Sequence, residues 1–299
     1  MSDASVPAPS GTASSAPAAP SAPAAVVVTV IGGPTALVEW GGLRILTDPT
    51  FDEPRSYGDD DPLVKTAGPA IAAAELGRID LALVSHHHHP DNLDDSGRAV
   101  ALTLPLIVTT SAGAADLAGE TGDASTARII GAGDGEVVEL DDEQLVGSVV
   151  AGRAPAGARL HMLPAQHGPL EVADRLGPVV GFLLEAPGHP TVYISGDNSS
   201  LDVVSTIAAR HRRVDAALLF AGAARVDSID ATLTLTAADA RAAALTLGAR
   251  RVVVLHVDQW KHFREDRATV EREFAGLESH AGGPLLAATP LGQRVELAL

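Results

Sequence analysis

Four short apolar runs in this chain each stop at residues that can ligate a metal. LALVS (81–85) leads into four consecutive histidines, His86 to His89, and then Asp91. RLHMLPA (159–165) leads into His167, TVYIS (191–195) into Asp197, and the RVVVL part of RVVVLHV (251–257) into His256. Short runs rich in branched and aromatic side chains fit a pleated, buried surface and read as β-strands. Where strands end on a rigid sheet, loops are free to carry ligands that converge outside the strand ends. The pattern therefore predicts an α/β fold with one site gathered from four distant segments. Its donors, imidazole and carboxylate, suit zinc, and manganese or iron as alternatives.

The surrounding sequence supports alternating strands and helices. VVVTVI (26–31), TALVEW (35–40) and LRILT (43–47) read as strands at the edge of a mixed sheet, with a turn at Gly32, Gly33 and Pro34 and a hairpin signal at Gly41-Gly42. Ser199 and Ser200 cap a helix running to about Arg210. TAADARAAALTLG (236–248) opens on a threonine cap with an aspartate three residues on and closes on glycine, which predicts a second helix. ATVEREFAGLE (268–278) predicts a third. There is no Gly-x-Gly-x-x-Gly, phosphate loop or Gly-x-Ser-x-Gly elbow.

Composition narrows the function classes. The 299 residues carry a formal net charge of −17, a field that repels nucleic acid and anionic membranes and leaves a small molecule as the expected partner. With no cysteine, nucleophilic thiols and thiolate-held zinc are excluded. Residues 1–24 are almost entirely Ala, Pro, Ser and Gly, too poor in large side chains to pack, and read as a disordered tail ahead of one domain over 25–299. The N-terminus lacks a basic segment followed by an apolar one, so a cytoplasmic location is the expectation.

Each candidate ligand has a bland explanation by itself. The tract SHHHHPDNLD (85–94) fits a solvated loop, His167 in LPAQHGP a polar turn, Asp197 in SGDNSS a helix-start acid, and His256 a core histidine at a strand end. A single shared metal site accounts for all of them at once. His161, His189, His211 and His280 stand in no motif and read as structural or surface residues.

In their order, SHHHHPDNLD, PAQHGP, YISGDN and VLHVDQWKHF resemble the metallo-β-lactamase superfamily, with its His-x-His-x-Asp-His after a strand, a lone His, an Asp in a Gly-Asp pair and a last His. GGPTALVEWGGLRILTDPTFDEP (32–54) resembles the opening hairpin of that family's ascorbate-6-phosphate-lactonase-like branch. The resemblance spans about residues 26–299 and implies a four-layer αβ/βα sandwich. It also implies a hydrolase that uses a metal-activated water on a small ester or lactone, an amide or a phosphodiester. The rival is a non-catalytic metal-binding or scaffold protein on the same fold.

The implied metal ligands are His86, His88, His89, Asp91, His167, Asp197 and His256, for one or two Zn2+ ions. Within the tract the register stays open. Spacing counted from Asp91 selects His87 and His89, and spacing counted from Ser85 selects His86 and His88. With one extra residue in the loop, His86 and His89 are favoured and His88 follows. Asn92 stands where the family has its last histidine, which predicts a weak second metal position. Asp91 and His262 are the catalytic candidates, Asp91 accepting a hydrogen bond from the nucleophilic water and His262 protonating a leaving group. Asp48 is expected to orient a histidine. Trp260, His262 and Glu265 are expected at the substrate pocket.

Overall fold

A computed structural model describes residues 25–59, 63–121 and 127–299. The expectation for residues 1–24 lies outside the described residues. The first strands are Val26–Gly32 (β1), Thr35–Trp40 (β2), Leu43–Thr47 (β3), Arg55–Tyr57 (β4), Leu63–Lys65 (β5) and Leu81–Leu83 (β6). Helix Asp95–Ala101 (α1), strand Leu106–Thr109 (β7), helix Ser111–Glu120 (α2) and strands Arg128–Gly131 (β8) and Val137–Glu139 (β9) follow. Next come helices Glu143–Val146 (α3) and Ser148–Ala151 (α4), strand Arg159–Pro164 (β10), helix Ala173–Leu176 (α5), and strands Val180–Glu185 (β11) and Val192–Ile194 (β12). The chain continues through Leu201–Arg210 (α6), Ala216–Phe220 (β13), Ala237–Leu247 (α7), Arg251–Leu255 (β14), Arg267–Phe274 (α8) and Arg294–Leu297 (β15).

The long strands form two sheets, in the orders β15-β1-β2-β3-β6-β7-β8 and β14-β13-β12-β11-β10-β9. Alternation along each strand explains how they stack. On β6, Leu81 and Leu83 join a core shared with Leu218 and Phe220 of β13 and Val253 and Leu255 of β14. Ala82 of β6 faces the other way and packs with Ala101 of α1 and Leu117 of α2. Ala217 and Leu219 of β13 turn outward onto Val204 of α6, Ala240 of α7 and Val270 of α8. Two sheets thus share an inner core, and each outer face is covered by helices: the four-layer αβ/βα sandwich. Strands buried on both faces read as unbroken apolar runs, which is why they were legible.

Several boundaries differ from the sequence expectation. β6, β12 and β14 stop at Leu83, Ile194 and Leu255, ahead of the residues that carry chemistry, because the chain leaves the ladder to turn them inward. β1 is not the edge strand: β15 pairs antiparallel outside it. The helix expected over 268–278 occupies Arg267–Phe274, capped by Asp266, whose side chain accepts from the Thr269 amide. The helix after Ser200 and the capping box at Thr236, closed by left-handed Gly248, are as expected.

β3, β6 and β7 run parallel, as do β12, β13 and β14. β10 runs the same way as β12, since each is antiparallel to β11. The C-terminal ends of β6, β10, β12 and β14 therefore carry the four candidate segments.

Candidate metal centre

The turn after β6 decides which histidines of the tract face inward. The Asn92 and Leu93 amides both donate to the His89 carbonyl, folding 86–93 tightly before α1. This turn points His86 and His89 to one side. His87 points the other way, its Nε2 2.7 Å from Asp116 Oδ2 on α2. His88 lies at the surface, its Nε2 on the carbonyl oxygen of Leu176. Of the three tract histidines proposed as ligands, the structure brings together His86 and His89 and leaves His88 outside.

Two donor groups result, each with its ligand atoms within 4.8 Å of one another: His86, His89 and His167, and Asp91, Asp197 and His256. In the first, His89 Nδ1 lies 3.0 Å from His86 Nε2 and 3.3 Å from His167 Nε2. In the second, His256 Nε2 lies 3.4 Å from Asp91 Oδ2 and 3.5 Å from Asp197 Oδ1. Asp197 joins the two. Its Oδ2 lies 3.5 Å from His167 Nε2 and 3.8 Å from His86 Nε2, while its Oδ1 faces His256. Asn92 Nδ2 donates to that same Oδ1 at 3.2 Å.

The hydrogen-bond network sets the tautomers. The Leu233 carbonyl lies 2.8 Å from His167 Nδ1, so Nδ1 carries the proton and Nε2 turns a lone pair to the centre. Ser85 donates both its amide and its hydroxyl to Asp48 Oδ1, at 2.7 and 2.8 Å. The hydroxyl oxygen is then left to accept from His86 Nδ1, 3.0 Å away, which turns the His86 Nε2 lone pair inward too. Asp48 thus orients a histidine, and Ser85 is the intermediary that sequence reasoning missed. Its only signal was its place between strand and tract. Imidazole lone pairs this close repel unless a cation, or the proton of His89 Nδ1, lies between them.

Electrostatics point the same way. Burial, reinforced by His89, His167 and His88, holds His86 well below the usual histidine range. Burial also takes His89 down to about 4. Neutral imidazole is the ligating form. Burial works against ionised Asp91, yet the imidazoles of His262 and His256 outweigh it and hold its carboxyl well below the usual range. Burial opposes charge on His256, and Asp197 and Asp91 overcome it, raising its pKa. Burial pushes Asp48 up, and the charges of Asp197 and Asp91 add to this. Among the described residues, buried Asp197 Oδ2 and His256 Nε2 have no hydrogen-bond partner. Orphaned polar atoms of this kind, among imidazoles and two carboxylates, fit divalent metal ions.

The backbone is bent to make the site. His256 has φ of +61° and Asp48 +30°, conformations that side chains with a Cβ rarely adopt. Gly196 precedes Asp197 at φ +56°, where a Cβ would come within 2.6 Å of the Val180 carbonyl, so only glycine makes this turn.

A cavity of about 230 Å³ opens on the centre, with His89, Asp91, His167 and His262 on one side. The rest of its lining is mostly apolar: Leu63, Leu176, Ala224, Val226, Ile229 and Leu233, with Ser228 and the exposed Arg175. Leu176, Ala224, Ile229 and Leu233 form a small core of their own. Sequence reasoning missed this wall, since 221–235 is irregular and has no period to read. His262 meets the cavity as expected, with its Nε2 2.9 Å from Asp91 Oδ2. The other two expected pocket residues do not line it. Trp260 is buried against Tyr57, and Glu265 accepts the Ala237 amide at the start of α7. His161 pairs with Glu185, His189 packs on Trp40, and His280 is exposed, all away from the centre.

The profile described as the beta-lactamase superfamily domain matches residues 43–257, most of the chain and all of the donors described above. The chain belongs to the beta-lactamase superfamily. A relative, a UPF0173 metal-dependent hydrolase of Caldivirga maquilingensis, is 26% identical over 229 residues, covering 77% of this chain and 81% of its own. Among solved structures, a possible metal-dependent hydrolase from Veillonella parvula superposes with a TM-score of 0.73 at 18% identity, over 91% of this chain and 100% of that one. An isothiocyanate hydrolase from Delia radicum gut bacteria gives 0.70 at 18% identity, over 90% and 98%. These two likenesses show the fold.

Proposed function

We propose that the protein is a metal-dependent hydrolase that cleaves a small ester, lactone or amide with a metal-activated water. The observation that carries this reading is Asp197, whose Oδ2 faces His86 and His167 and whose Oδ1 faces His256, beneath a cavity that His89, Asp91 and His167 line. His86, His89 and His167 would hold one ion and Asp91, Asp197 and His256 a second, with zinc the ion that this donor chemistry favours. A bound metal supplies positive charge that lowers the pKa of a water to about 7 and polarises the carbonyl under attack.

The chain's own residues do the rest. Asp91, ionised and at the cavity, accepts a hydrogen bond from the attacking water and fixes its approach. His167 and His86 are locked by the Leu233 carbonyl and by Ser85, so the donor face is set before substrate arrives. The wall of Leu63, Val226, Ile229 and Leu233 excludes water and favours a substrate with a small apolar group. Arg175 adds a guanidinium that would meet an anionic group on the substrate.

The test is turnover by the zinc-loaded full chain on a panel of short-chain esters, lactones, amides and a phosphodiester. Metal-dependent cleavage of a carbonyl substrate, abolished by a chelator and restored by zinc, supports the reading. Tight metal binding without turnover of any member would instead support the non-catalytic scaffold.

A further inference from the structure

Three donors, Asp91, Asp197 and His256, leave one position of a tetrahedral zinc site open to water or to a further side chain. Asn92 does not fill it. Its Nδ2 donates to Asp197 Oδ1, and its own oxygen is buried without a partner. The nearest further imidazole arrives from the other direction. His262 Nε2 lies 2.9 Å from Asp91 Oδ2, the oxygen that His256 Nε2 approaches at 3.4 Å. Two donors on one tetrahedral ion stand roughly 3.3–3.6 Å apart when each bond is about 2.0–2.2 Å long, so the His256 spacing matches and His262 lies a few tenths of an ångström closer than that. His262 is 9% exposed, and its Nδ1 is buried without a hydrogen-bond partner, so no other bond fixes which nitrogen carries the proton.

The ring is also held in place. It packs edge-on against Phe263, 4.6 Å between centroids, and against Trp260 at 6.0 Å. Its carbonyl accepts the Arg225 amide and ties it to the segment that builds the cavity wall.

We infer that His262 is the fourth protein ligand of the second metal position, supplied from the loop after β14 in place of an imidazole at Asn92. The inference rests on the hydrolase reading's two-ion centre. It replaces the proton-donor role suggested by the sequence, since an Nε2 bound to metal has no proton to give. It also removes the reason to expect a weak second site.

A hydrogen-bonding partner for Asp91 and a metal ligand make different demands, and His262→Gln separates them. The glutamine amide can still donate to Asp91 but is a poor ligand for a divalent ion. The full chain, stripped with chelator, is titrated with Co2+ and Zn2+ in equilibrium dialysis, with cobalt absorption followed in parallel. Wild type should bind two ions per chain. His262→Gln and His262→Ala should both keep the first ion and lose affinity for the second at least tenfold, with the visible spectrum of the second cobalt altered. Far-ultraviolet circular dichroism of the metal-free proteins should coincide, showing that the variants fold. If His262→Gln binds the second ion as wild type does, His262 is a positioning residue for Asp91 and the inference falls. If wild type binds one ion and His262→Gln leaves it unchanged, the inference again falls while the hydrolase reading stands. A wild type that binds neither ion overturns both.

Discussion

Lys65 Nζ lies 2.7 Å from Asp94 Oδ2, and neither side chain is exposed to solvent. Asp94 also accepts the amides of Phe51, Asp52 and Gly97, so one carboxylate ties the β3–β4 connection, β5 and the start of α1 behind the histidine tract. Removing the lysine charge strands a buried carboxylate. Lys65→Met is expected to lower stability by about 3 kcal/mol or more. Denaturant unfolding of the metal-free protein measures this, and a loss under about 1 kcal/mol would contradict the account.

The histidine tract gives a sharper test. His86→Ala and His89→Ala should each remove bound metal, because these imidazoles meet at 3.0 Å. His87→Ala and His88→Ala should leave metal content unchanged, since their rings engage Asp116 and the Leu176 carbonyl. Elemental analysis after dialysis of the four variants decides it. Metal loss in His88→Ala with retention in His89→Ala would invert the assignment.

Ser85→Ala should weaken metal binding without emptying the centre. The variant deletes the hydroxyl between Asp48 and His86 but keeps the amide bond to Asp48. Loss of an outer hydrogen-bond partner of a ligating histidine typically lowers affinity about 10–100-fold. Competition with a chromophoric chelator reads the constant directly, and an unchanged value would remove Ser85 from the relay.

Metal should also stabilise the fold. Zinc at about 100 times its dissociation constant adds roughly 2.7 kcal/mol to a state that alone binds it. The melting temperature of wild type should rise accordingly on adding zinc. It should rise less in His167→Ala, Asp197→Ala and His256→Ala, which each lack a donor, and as much as wild type in His280→Ala, whose site is exposed and distant. Equal shifts in all five proteins would place the stabilising ion elsewhere.

Much of this was legible in the sequence where local chemistry decides structure. β14 announces itself through Val252, Val253, Val254 and Leu255, all buried and split between two cores. The helix at 237–247 follows from Thr236, Asp239 and Gly248. Asp197 and His256 were legible because a strand ends just before each. The register of the tract was not. The partners that turn His87 and His88 away lie 29 and 88 residues along the chain, beyond the reach of spacing. Glu265 was misplaced for the same reason, since the helix start it serves is 28 residues earlier. The cavity wall had no periodic signal, because irregular backbone supplies it.

Leu233 belongs to both halves of the site. Its side chain lines the cavity, while its carbonyl accepts from His167 Nδ1 and its amide bonds to the Ala224 carbonyl. The two tasks fall on different atoms, and only one of them depends on which amino acid is present. Exchanging the side chain reshapes the cavity and leaves the carbonyl where it was. Adding or removing a residue between Ala224 and Leu233 shifts that carbonyl and frees the imidazole to rotate. This stretch should therefore accept changes of letter more readily than changes of length: substitutions there would retune the cavity, while insertions would loosen the hold on His167.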